Sequence, residues 1–163
     1  KLEPSMRVSW EASDPVNYWD HALVSAREWD TPVDEKTASA VVDLFVALAF
    51  RKCVGANDTT PRNLLWSSRQ VGPWPVGTLF SVDDAAFFRP TPYMWKTKIQ
   101  SAKYAAALRA LWPRVVRRIT PWLGLVRTIQ PPEDIPGVDI IVARDYFIRV
   151  CSDLSAGPDA WVW

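Results

Sequence analysis

Apolar residues recur along much of this chain at the three- and four-residue spacings of a helix surface, and prolines interrupt the pattern repeatedly. The clearest stretch is 34–54. Asp34 and Glu35 stand at its start, where the helix dipole favours anions, and Arg51 and Lys52 stand at its end, where it favours cations. Gly55 follows as the expected stop. Between these signals "ASAVVDLFVALAF" is apolar on almost every side, which predicts a helix in the middle of a core.

Other helices are predicted around it. Val16, Trp19, Leu23 and Ala26 recur at helical spacing, with Pro15 suited to the first turn, so a helix is expected over 15–28. A short helix is expected at 59–68, with Thr60 as cap and Pro61 in first position, followed by a rigid connector at 71–77. Ser81-Val82-Asp83-Asp84 resembles a capping box and predicts a further short helix through Phe88. Thr91-Pro92 opens a long helical stretch to about Ile119, with a kink or two abutting helices at Pro113 and one more turn from Trp122 to Arg127.

Residues 138–151 read two ways. Ile140, Ile141, Phe147, Ile148, Cys151 and Leu154 fit one helix face, whereas the β-branched run fits a strand; the helix is favoured. The expected fold is mainly α: an irregular multi-helix domain of proline-punctuated short helices. Short strands stay open near the N-terminus and at 138–151. With no repeat and no linker, 1–163 reads as one domain with an N-terminal arm (1–13) and a C-terminal aromatic tail (155–163).

Charge changes the picture. Residues 1–88 hold 8 basic and 12 acidic side chains, and residues 128–163 hold 2 and 6. Residues 89–127 hold 9 basic and no acidic ones, six of them arginine, so a net charge of +1 hides a strong polarity. Tyr104, Leu108, Leu111, Val115 and Ile119 form one apolar stripe of a helix, and Lys96, Lys103, Arg114 and Arg118 a neighbouring basic one. Small residues from Ala102 to Ala110 would admit a close helix neighbour.

Three readings compete for this segment. The acidic flanks fold back and neutralise it; or it meets an anionic partner, RNA or an acidic protein; or it lies on a membrane surface. Neutralisation alone would be a weak stabiliser, because surface ion pairs contribute little. Arginine's forked donors suit phosphate and carboxylate, and Trp112, Trp122 and Tyr104 nearby could stack on bases. The membrane reading ranks last, because the core needs the apolar stripe. The contact set for an anionic partner or RNA is Lys96, Lys103, Arg109, Arg114, Arg117 and Arg118.

Ten tryptophans are many for 163 residues. Trp161 and Trp163 end a short tail, "PDAWVW", with little nearby in sequence to cover them. They are expected, with Trp112 and Trp122, to be exposed anchors for a partner. Deleting 159–163 is then expected to weaken assembly and leave the fold intact.

Catalytic signals are weak. His21 is the only histidine, and its neighbour Asp20 points elsewhere on a helix, so it reads as structural. Six scattered glycines make no phosphate loop, and no GxSxG elbow is present. Cys53 and Cys151, with 97 residues between them, have no metal-ligand spacing and read as buried thiols, with a single long-range disulfide as the unforced alternative. No cofactor or metal is implied. No apolar run reaches the ~18 residues of a membrane span. A start at Lys1 is compatible with a removed presequence, hence with an intracellular, organelle-matrix (mitochondrial) setting.

The functional expectation is a non-catalytic subunit of a larger assembly, an organellar complex or a ribonucleoprotein. It would bind other protein subunits through the basic helix and the exposed aromatics. Direct RNA binding by 89–127 is the first alternative. A small enzyme using carboxylates or His21 is the second.

Overall fold

The computed structural model describes residues 34–56, 64–66, 70, 72–75, 78–81, 102–128 and 139–161. The helices expected at 15–28 and 82–88, the N-terminal arm, and the 91–101 start of the long helix lie outside these residues. Within them the architecture is mainly α, as expected.

Helix α1 spans Glu35–Cys53. Its N-cap is Asp34, whose carboxylate accepts from the Thr37 N–H at 2.9 Å and from the Thr37 hydroxyl at 2.5 Å. These hydrogen bonds hold the Asp34 carboxyl below its ordinary range. Its stabilising effect is therefore present above about pH 4 and is lost as the medium is acidified. The other end closes as a Schellman motif. Gly55, at φ +62°, donates to the Lys52 carbonyl, and Ala56 donates to the Arg51 carbonyl. A side chain at Gly55 would be strained in this left-handed conformation. Buried residues lie around much of α1, from Val41 and Val42 to Leu44, Phe45, Leu48 and Ala49, which puts it at the centre of the core. Arg51 is buried with them at 1% exposure.

Two short strands follow, β1 (Leu64–Trp66) and β2 (Leu79–Ser81), paired antiparallel with Leu65 opposite Phe80. This corrects the helix expected at 59–68 and the cap expected at Ser81, which is a strand residue. A helix of so few residues is marginal alone, whereas cross-strand pairing satisfies the same backbone groups. The connector between the strands turns at Gly72, φ +55°, whose carbonyl accepts from Gln70 Nε2 at 3.1 Å. Trp74 packs edge-on against Phe80, and Leu79 leans on the helical core.

Helix α2 spans Ala102–Thr128, about 40 Å at 1.5 Å per residue. It runs as one helix through Pro113 and Pro121, so of the kink or two abutting helices expected at Pro113 the second is excluded. Both prolines are exposed, while Ala107, Leu108, Leu111, Val115 and Ile119 are buried on the other side. Each proline therefore costs one backbone bond on the wet side of the helix and none of the core packing. The expected stripe from Leu108 to Ile119 is the buried face.

Helix α3 spans Ile140–Ala156, which settles 138–151 as helix. Its N-cap Asp139 accepts from the Val142 N–H at 3.0 Å. Asp139→Ala should lower stability by about 1 kcal/mol in a denaturant titration, the ordinary loss on removing a cap. The core face differs in part from expectation. Phe147, Cys151 and Leu154 are buried with Ala143 and Val150, but Ile141 is exposed and Ile140 and Ile148 are half-buried. A short 3-10 helix, Pro158–Trp161, closes the described chain.

The contacts fix the helix directions. Glu35, Asp43 and Phe50 of α1 meet Arg114, Arg118 and Trp122 of α2, so these two run the same way. Cys151 and Phe147 of α3 meet Ile119 and Trp122 of α2, so α3 runs antiparallel to it. The ends of α1 and α2 and the start of α3 therefore share one end of the bundle.

Candidate interaction surface

The basic helix is partly neutralised by its own chain. Arg114 grips Glu35 with both terminal nitrogens, at 2.6 and 3.2 Å. One turn on, Arg118 is bonded to Asp43. Arg109 lies 3.7 Å from Asp159. Three members of the expected contact set are thus paired with carboxylates from the acidic flanks, the folding-back that the charge pattern allowed. These side chains range from about one-third exposed to mostly open to water, so each pair is screened and weak. Glu35→Gln and Asp43→Asn should each change the denaturation midpoint by less than about 1 kcal/mol equivalent. A loss well beyond that would make the pairs a main support of the α1–α2 contact.

The remaining members divide. Arg117 is exposed and has no ion pair among the described residues, and Arg127, near the end of α2, is in the same state. Lys103 belongs to the first turn of α2, and Lys96 lies outside the described residues.

The aromatic anchors also divide. Trp122 is half-buried, edge-on to Phe50 with centroids 5.9 Å apart and tilted against Phe147 at 6.3 Å. Trp112 is half-buried, and its indole N–H is shut from solvent with no acceptor among the described residues. Trp161 corrects the sequence reading. It is 1% exposed, packs edge-on against Phe45 at 6.0 Å, and donates from Nε1 to the Leu154 carbonyl at 2.9 Å. The 3-10 turn folds the tail back under α3, so Trp161 is a core residue and not an anchor. Trp163 lies outside the described residues.

A surface that the spacing did not single out stands at the shared end of the bundle. Phe50 is in the last turn of α1 at 41% exposure, Leu125 is near the end of α2 at 61%, and Ile141 and Val142 are in the first turn of α3 at 60% and 62%. Among the described residues they are the large exposed apolar side chains of the three helices; the other such described residue, Trp74, is on the strand connector. Arg117 and Arg127 belong to the same half of α2. A signal was present in the sequence, since "DIIV" carries more apolar residues than one helix face can bury. The sequence reading instead places Ile140 and Ile141 on the core face of the helix, with a strand as the alternative.

Other chemistry is sparse. Among the described residues no group of three His, Cys, Asp or Glu side chains could hold a metal ion, and no helix is long and apolar enough to cross a membrane. His21 lies outside the described residues. Both cysteines are free and buried. Burial pulls the Lys52 ammonium down to about 8, and the Asp153 carboxylate opposes the shift. Comparison with known proteins gives no match: no family model, no curated protein and no solved structure is significantly similar to this chain.

Proposed function

We propose that this chain is a non-catalytic subunit of a larger protein assembly, docking through the end of the bundle where α1 and α2 finish and α3 begins. The observation that carries this reading is that Phe50, Leu125, Ile141 and Val142, the exposed large apolar residues of the three helices among the described residues, all lie towards that end of the bundle. Exposed aliphatic side chains grouped in this way mark interaction surfaces more often than scattered ones do. Arg117 and Arg127 favour a partner that brings carboxylates to the rim of an apolar contact. An acidic protein surface suits this better than RNA, because Arg109, Arg114 and Arg118 already have carboxylate partners.

The test is the native size of the protein in a gentle extract, with and without nuclease. The expected result is a large particle that ignores nuclease. The double variant Ile141→Glu, Val142→Glu should release the chain to the size of a single copy. Its melting should be unchanged, since acidic residues suit the first turn of a helix. A particle that collapses on nuclease treatment would replace the protein partner by RNA. A chain migrating alone from the start would overturn the reading.

A further inference from the structure

Helix α2 changes character at Ile119. Up to that point Ala107, Leu108, Leu111, Val115 and Ile119 are buried in the core. From Thr120 to Thr128 no residue is buried: Trp122, Leu123 and Val126 lie half-buried against the core, and the others are exposed. The backbone is weakest at the same place. The Thr120 hydroxyl donates back to the Val116 carbonyl at 2.8 Å, a back-bond of the kind that bends helices. Pro121 has no N–H to give the Arg117 carbonyl. Gly124 is the poorest helix former after proline, and a methyl group in its place would meet nothing within 4 Å. The aromatic hold of this segment on the other two helices is Trp122, edge-on to Phe50 of α1 at 5.9 Å and tilted against Phe147 of α3 at 6.3 Å.

We propose that residues 121–128 form a hinged arm, which swings out at Thr120 and Pro121 and is latched shut by Trp122. Opening breaks the bonds that the amides of 122–128 make to carbonyls one turn back, and it uncovers Trp122, Phe50 and Phe147. The stripe from Ala107 to Ile119 stays in place, so opening costs less than unfolding the domain. The two prolines of α2 differ in this respect. Pro113 lies between Leu111 and Val115, both buried, so the helix is clamped on either side of it. Pro121 is clamped by a buried residue on one side only, at Ile119. The arm also carries Leu125 and Arg127 of the docking end. Closed, it presents Leu125; open, it adds three aromatic rings to the apolar surface, so its position sets what a partner meets. That regulatory use rests on the docking reading given above, whereas the arm itself does not.

The experiment is amide hydrogen exchange on the folded chain, residue by residue, at several low urea concentrations. The amides of 122–128 should share one opening and exchange at least about tenfold faster than those of 111–119, after correction for intrinsic rates. Urea should speed the arm little and 111–119 steeply, because only global unfolding exposes much new surface. Two variants separate arm from body. Gly124→Ala should slow 122–128 about fivefold, the ordinary advantage of alanine over glycine in a helix. Val115→Ala weakens the body, so 111–119 should exchange faster while 122–128 keep the parent rates. The arm is overturned if both segments exchange at one rate, if protection falls off gradually from Thr128 as in simple end fraying, or if Val115→Ala speeds both alike. The regulatory use is read from native size. Pro121→Ala with Gly124→Ala holds the arm shut and should enter the large particle less than the parent does. Equal entry would overturn that use and leave the docking surface standing. A parent that runs as a single copy would overturn the docking surface and the regulation together, and leave the arm to the exchange result.

Discussion

Trp161→Ala should destabilise the fold by about 3–5 kcal/mol, a large part of the 5–15 kcal/mol that usually holds a domain together. Three losses combine. The indole is almost wholly buried, so its removal leaves a cavity that its neighbours fill only in part. The edge-on contact with Phe45 disappears. The Leu154 carbonyl loses the Nε1 hydrogen bond. The measurement is a urea titration followed by far-UV circular dichroism, which does not depend on tryptophan fluorescence. Trp161→Phe separates the parts. It keeps a ring against Phe45 and gives up the hydrogen bond, so it should cost less, about 1–3 kcal/mol. A double-mutant cycle with Phe45→Leu should show coupling of about 0.5–1.5 kcal/mol. Deleting 159–163 should now mimic Trp161→Ala and destabilise the domain, contrary to what the tail's sequence suggested. If the alanine variant melts like its parent, the tail is not packed under α3.

That reversal shows where local pattern stops being informative. Helix α1 was legible because its signals are local: a cap at Asp34, an apolar run, a glycine in C-terminal position at Gly55. The buried stripe of α2 was legible for the same reason, since Leu108, Leu111, Val115 and Ile119 repeat at helical spacing. Trp161 was not legible, because its cover comes from Phe45, 116 positions away, and from a 3-10 turn that no periodicity announces. The strand at Leu64–Trp66 was missed because its partner, Leu79–Ser81, supplies the reason for it to be extended. Proline misled in the other direction. At Pro113 and Pro121 the lost bonds face water, so tertiary packing carries the helix through. The charge pattern was legible as polarity along the chain. Which arginines would be paired depended on the parallel course of α1 and α2, which brings Glu35 and Asp43 to Arg114 and Arg118.

Two residues apart on α2, opposite outcomes are expected. Val115 is fully buried against α1 and α3, while Arg117 is exposed with no ion pair among the described residues. Val115→Asp places an unpaired carboxylate in the core. The cost is either desolvation of the charge or the work of keeping it protonated, and about 4 kcal/mol or more should be lost. The helical signal should collapse well below the parent's denaturation midpoint. Because the acid can be accommodated only in its neutral form, the loss should shrink as pH falls towards 4. Arg117→Glu, with Arg127→Glu, touches no core atom and should change stability by no more than about 0.5 kcal/mol per site. It should nevertheless release the chain from its assembly, by setting carboxylates against an acidic partner. The pair of variants therefore divides the basic helix into a face that makes the fold and a face that meets the partner. If both variants unfold, the second arginine has a structural role and the rim does not recognise charge. If the arginine reversals leave both fold and native size untouched, docking rests on the apolar end alone. A membrane-surface role is tested on the parent: Val115 and its stripe are buried in the core, so anionic vesicles should not bind the folded protein through the apolar face of α2.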